Sequence, residues 1–180
     1  RCLVGSEMCI RDRLVRIHGS GYSARNAFEK QVMLSVYRCE TQRRELSQLR
    51  DTLNAAGVPF LPLKGTVLRT LYPEPWMRTS CDIDILVPEE RVDAATQLLA
   101  AQLGYTVGDK DTHNVVLTAP GGVLLELHYR LLEDHYNATA APLLDTVWDY
   151  ADAPDGAFEH TLRDEMFYLC LLYTSDAADD

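Results

Sequence analysis

At 180 residues, 47 % of them hydrophobic, the chain holds enough apolar surface for one sizeable core and too little for two. Seventeen basic residues against 27 acidic give a formal net charge of −10, which speaks against an extensive nucleic-acid footprint. No run is long and apolar enough to span a bilayer, no secretory signal precedes the domain, and Cys39 and Cys81 lack the paired spacing of a disulfide framework or a zinc site, so a cytoplasmic protein with reduced thiols is expected.

Residues 1–13 are set aside first, because residues 3–13 back-translate into what looks like a transposase-type sequencing adapter. The other end agrees: residues 170–180 fit the reverse complement of the same element, in the correct relative orientation, as in a metagenomic fragment. The domain is therefore expected to run from 14 to 169, cut at both ends. It divides into a helical segment 14–57, a core 58–141, and the start of a helical region, 142–169.

Residues 29–56 contain no proline or glycine and carry Val32, Val36, Cys39, Leu46, Leu49 and Leu53 on an approximate stripe, which predicts a long helix ended by Gly57. A strand follows over 58–63, its prolines tolerable near a start or an edge, then a short helix over 65–72 closed by Pro73 and Pro75. Residues 83–87 read as a strand, and 89–103 as a helix with Val92, Ala95, Leu99 and Leu103 at helical spacing and Gly104 at its end. After an extended stretch at 105–107, a hairpin is predicted with arms 113–118 and 123–129 and Pro120-Gly121-Gly122 at the bend. From Pro142 onward helices are expected. The fold class is thus α/β (α+β), a mixed sheet flanked by helices.

The chemistry is concentrated in three places. Asp82 and Asp84 are separated by one residue at a strand start, so both point to one face. Glu126, set between leucines in a hairpin arm, is costly to bury unless paired or bound. Three carboxylates on neighbouring strands make a hard oxygen cage of the kind that holds Mg²⁺ while substrate phosphates supply further ligands. Upstream, the turn Gly65-Thr66 permits close backbone approach at a helix start and suits phosphate oxygens, with Lys64 and Arg78 as cationic neighbours. His128 lies one strand period from Glu126 and shares its face. Each residue has a plain alternative: a solvated Asp-x-Asp, a solvent-facing glutamate on a one-sided strand, surface charges at Lys64 and Arg78, and a satisfied structural histidine.

Taken together, Leu63-Lys64-Gly65-Thr66, Tyr72-Pro73-Glu74-Pro75, Arg78, Asp82-Ile83-Asp84-Ile85-Leu86-Val87 and Glu126-Leu127-His128-Tyr129 resemble the uncharacterised nucleotidyltransferase family of the polymerase-beta-like superfamily. The resemblance implies a metal-dependent transfer of an NMP group from a nucleoside triphosphate, ATP among them, to an acceptor hydroxyl on a protein, an RNA end or a small molecule. It implies Gly65 and Thr66 as the phosphate turn and Asp82, Asp84 and Glu126 as catalytic ligands of Mg²⁺ or Mn²⁺; Lys64 and Arg78, as cationic neighbours, are the candidates for triphosphate contacts, and His128, on the face of Glu126, is a candidate to steady the site from behind. Thr66 stands where serine or glycine is commoner in that family. A glycosyltransferase with an Asp-x-Asp motif is disfavoured, because there the motif closes an apolar strand, whereas here Arg78-Thr79-Ser80 leads in and the apolar run follows. A receiver domain carries its lysine after the acids, and Lys64 precedes them. A non-catalytic, nucleotide-binding or regulatory relative of the same fold is the remaining alternative.

Overall fold

A computed structural model of the chain describes residues 21–131 and 141–163 together with residues 166, 167 and 170. Helix α1 (Gly21–Ala55) begins earlier than the sequence predicted. Its C-terminal half carries the core stripe Leu46, Leu49 and Leu53, all buried, while Met33 and Tyr37 nearer its start are exposed. Among the described residues no helix is long and apolar enough to cross a membrane.

The predicted strand over 58–63 is reduced to β1 (Leu61–Pro62). Pro59 and Pro62 have no N–H to give to a ladder, which confines the segment to a sheet edge. Helix α2 (Lys64–Leu68) follows, then a 3₁₀ turn over Arg69–Leu71 and another over Pro75–Met77 before β2 (Asp82–Leu86). Helix α3 (Val92–Leu103) starts after a 3₁₀ turn at Glu89–Arg91, and β3 (Thr106–Lys110), β4 (Asn114–Thr118) and β5 (Leu124–His128) complete the sheet.

The five strands lie in the order β1-β2-β5-β4-β3. The sheet is mixed: β2 and β5 are parallel, and the other three pairs are antiparallel, including the predicted β4–β5 hairpin. Strand alternation divides it into two faces. Ile83, Ile85, Leu125, Leu127, Val115 and Leu117 share one face and form the main core with α1 and α3, each side chain contributing about 1.5–3 kcal/mol of transfer free energy. The opposite face carries Asp82, Asp84 and Leu86 on β2 beside Leu124, Glu126 and His128 on β5. Around Leu86 this face is covered by a second apolar layer of Leu61, Leu63, Leu131, Leu144, Val147 and Met166.

The region after Pro142, read as helical, is helical only in part. A four-residue helix α4 (Ala141–Leu144) and a 3₁₀ turn (Val147–Tyr150) give way to a two-stranded antiparallel sheet, β6 (Ala151–Asp152) with β7 (Thr161–Leu162). These strands are two residues long and show no extended apolar alternation, which is why the pattern did not reveal them. Residues 3–13 and 171–180, the adapter-like segments, lie outside the described residues, whereas Cys170 is buried in the second apolar layer. Cys39 is a buried free thiol.

Gly104 ends α3 in the left-handed region at φ 71°, with its N–H on the carbonyl of Leu99. A Cβ there would meet only Pro120 Cγ at 3.5 Å, an ordinary contact, so substitution acts through the backbone. Gly104→Ala is expected to cost about 1–2 kcal/mol in urea denaturation, with an unchanged slope. An unaltered midpoint would show that the turn relaxes.

Candidate functional site

The loop ahead of β2 is tied down by residues that carry no metal-site chemistry of their own. Gln42 on α1 is buried and donates from Nε2 to the backbone oxygens of Ser80 (3.2 Å) and Asp82 (3.3 Å). Arg69 donates from Nη2 to Gln42 Oε1 (2.6 Å) and to Ser80 Oγ (2.7 Å). Burial is the main reason its pKa is lowered, with the nearby charge of Arg78 acting in the same direction. Sequence reasoning missed this latch, since Arg69 and Gln42 are 27 residues apart and neither lies in a motif.

The turn before α2 is strained. Lys64 has φ 30°, the only positive value for a non-glycine among the described residues. Two bonds hold it there: Leu63 N–H donates to the carbonyl of Asp84 (3.0 Å), and Thr66 N–H donates to the carbonyl of Leu63 (3.1 Å). The turn is thus hydrogen-bonded directly to the acidic strand. Gly65 is buried, and a Cβ on it would lie 3.2 Å from Ser80 Oγ and 3.4 Å from Arg78 Nη1, so Arg78 is packed against the glycine turn. The charge of Lys64 is felt by Asp82, Asp84 and Glu126 alike, lowering the proton affinity of each. Thr66, half-buried, is the third residue of α2.

Parallel register places Glu126 directly opposite Asp84, and Leu124 opposite Asp82. The ligand atoms of Asp84, Glu126 and His128 all lie within 4.8 Å of one another. His128 Nε2 is 3.2 Å from Asp84 Oδ1 and 3.3 Å from Glu126 Oε2. The compact trio is therefore two acids and the histidine. Asp82 stands one strand repeat away on the same face and interacts with both carboxylates through charge. Asn114, buried on β4 opposite His128, donates from Nδ2 to Glu126 Oε2 at 3.3 Å. The sequence contained the signal for it, an asparagine on the hairpin face shared with Glu126.

The electrostatics divide these acids. Burial, then the charges of Asp84 and Glu126, push the Asp82 carboxyl up to about 6. Burial is the largest influence on Asp84 and raises its pKa, but the hydrogen bond and charge of His128, together with the charges of Lys64 and Arg78, hold it below the usual range. Glu126 is likewise lowered, chiefly by its hydrogen bond to His128. Burial works against a charged His128, yet its bonds to the two carboxylates raise its pKa overall. The arrangement is a cluster of two ionised carboxylates and a third that releases its proton reluctantly, with the charges of Lys64 and Arg78 acting on it.

A family model described as "Uncharacterised nucleotidyltransferase" matches residues 11–174. No curated protein matches the sequence. Among solved structures, the chain is similar to the antibiotic-resistance factor ANT(2'')-Ia in solution, with 15 % identity, a TM-score of 0.46, and coverage of 76 % of this chain and 86 % of that one. It is also similar to the crystal structure of ANT(2'')-Ia in complex with adenylyl-2''-tobramycin, with 14 % identity, a TM-score of 0.49, and coverage of 75 % of this chain and 90 % of that one.

Proposed function

The chain belongs to the uncharacterised nucleotidyltransferase family, and from that premise we propose that it is a transferase that uses a divalent cation to move an NMP group from a nucleoside triphosphate to an acceptor hydroxyl. The observation that carries this reading is the convergence of Asp84 and Glu126 on one sheet face, with Asp82 beside them and the strained Lys64-Gly65 turn bonded to the same strand.

The donor set suits a hard divalent cation. Asp84 and Glu126 offer carboxylate oxygens, and Asp82, raised first by burial and then by the charges of those two acids, adds a third carboxylate on the same face. Asp82, Asp84 and Glu126 would hold Mg²⁺ or Mn²⁺. Bound there, the ion would supply charge neutralisation on the reacting phosphate and make an acceptor hydroxyl easier to ionise. The rest belongs to the protein. The Gly65 turn has no side chain, which lets Arg78 and Ser80 pack against it, and Thr66 adds a hydroxyl. Lys64 and Arg78 neutralise charge on the triphosphate, Arg78 with a planar fork that can take two oxygens at once. Glu126, ionised at neutral pH, would help hold the ion that activates the acceptor; its lowered pKa leaves it a weak base, and Asp82, at about 6, is the acid of the three best able to take the acceptor's proton. Bond formation at the alpha-phosphorus is accompanied by departure of pyrophosphate.

The test incubates the full-length protein with radiolabelled triphosphates, Mg²⁺ or Mn²⁺, and a cell extract as acceptor pool. Label transferred to an acceptor, and lost on chelation, supports the reading. Triphosphate binding without labelled product would favour the non-catalytic alternative. Arg78→Lys is expected to raise the KM for triphosphate about tenfold, the cost of one charge-assisted bond, with kcat little changed. Unchanged KM would remove Arg78 from the nucleotide site.

A further inference from the structure

His128 ends β5, two residues beyond Glu126 and therefore on its face, with Leu86 opposite in the parallel register and Asn114 opposite in the antiparallel one. It is only 5 % exposed. Nε2 lies within reach of Asp84 Oδ1 at 3.2 Å and Glu126 Oε2 at 3.3 Å. Nδ1 is buried and has no hydrogen-bond partner among the described residues. A histidine that binds a metal through one ring nitrogen almost always donates its other N–H to a carboxylate, carbonyl or water. That acceptor is missing on the Nδ1 side, so the proton is assigned to Nε2, which can then donate to a carboxylate but cannot ligate.

Glu126 Oε2 also receives Asn114 Nδ2 at 3.3 Å. One oxygen of each facing acid is thus engaged by a rigid donor seated in the sheet. Resting on the divalent-cation reading above, we propose that His128, supported by Asn114, is a positioning residue: its Nε2–H and the Asn114 amide fix the Asp84 and Glu126 carboxylates facing one another, so that cation binding finds them already oriented. Without such donors the two like charges, facing each other across a β2–β5 pair, would rotate apart.

The experiment uses the full-length protein with Mn²⁺ as the probe. Free Mn²⁺ is followed by electron paramagnetic resonance, and directly bonded ¹⁴N is sought in the pulsed spectrum of the bound ion. Wild type is expected to bind Mn²⁺ without a strong nitrogen coupling. His128→Leu, which removes both ring nitrogens, is expected to weaken binding about 10–100-fold. His128→Gln, which keeps a side-chain N–H donor, should recover part of that loss; if His128→Leu does not fold, a His128→Gln affinity falling between wild type and Asp84→Asn serves in its place. A strong ¹⁴N coupling in wild type that vanishes in His128→Gln would make His128 a ligand and overturn the proposal, as would wild-type affinity in His128→Leu. Asp84→Asn separates the two readings. If it binds Mn²⁺ as tightly as wild type, the metal site itself is wrong; if it loses Mn²⁺ while the His128 variants do not, only the positioning role falls.

Discussion

Asp84→Asn is expected to reduce nucleotidyl transfer by about 10³-fold or more, equivalent to roughly 4 kcal/mol of transition-state stabilisation. Asp84 is the most central of the acids: buried, opposite Glu126, bonded to His128, and joined through its carbonyl to the Leu63 amide of the strained turn. Asparagine keeps its size and an oxygen that can accept from His128, so the fold should survive while one negative charge is lost. The measurement is the rate of label transfer at saturating Mg²⁺, beside a thermal melt of the same preparation. Transfer within a few-fold of wild type, from a protein that melts normally, would remove Asp84 from the chemistry. Asp82→Asn should lower transfer as well, though Asp82 stands outside the compact trio.

What could be read in advance was whatever depends on short-range periodicity. Asp82 and Asp84 had to share a face because side chains alternate along a strand, and Glu126 and His128 had to share theirs for the same reason. The helix over Val92–Leu103 and the β4–β5 hairpin were visible in apolar spacing and turn residues. Whether the two acidic faces met depended on β2 lying next to β5 in parallel, a pairing of strands far apart in the chain that no local pattern specifies. The contact from His128 to Asp84 follows from that pairing and was unreadable without it. The same holds for Arg69, Gln42 and Ser80, whose bonds join α1 to the loop ahead of β2. The short β1 is the reverse case: its prolines were noted as tolerable at an edge, but they removed most of the predicted strand.

The metal-free protein should melt at a higher temperature at pH 5 than at pH 7.5. Asp82 has a folded pKa of about 6 against an ordinary 3.8, so between those values the folded state binds more protons than the unfolded one, and stability falls as pH rises through that window. His128 acts in the same direction. Its folded pKa is raised, so its contribution is complete below the ordinary 6.5 and is lost as pH rises through the folded value. Asp84 and Glu126 have the opposite sign: their lowered pKa values stabilise above the ordinary 3.8 and 4.5, and that contribution disappears only as pH falls through the depressed values. The optimum of these four groups therefore lies near the ordinary carboxylate values, about pH 4: below it the Asp84 and Glu126 contributions are lost, and above it that of Asp82 is lost progressively up to about 6. General repulsion in a chain of net charge −10 also disfavours higher pH, so the slope alone does not identify the site. Asp82→Asn does: it should raise the melting temperature at pH 7.5, leave it nearly unchanged at pH 4, and flatten the difference. Millimolar Mg²⁺ should stabilise wild type more at pH 7.5 than at pH 5, because at the lower pH protons compete for Asp82. A variant with the wild-type slope, or Mg²⁺ stabilisation independent of pH, would mean that the three acids do not share one field.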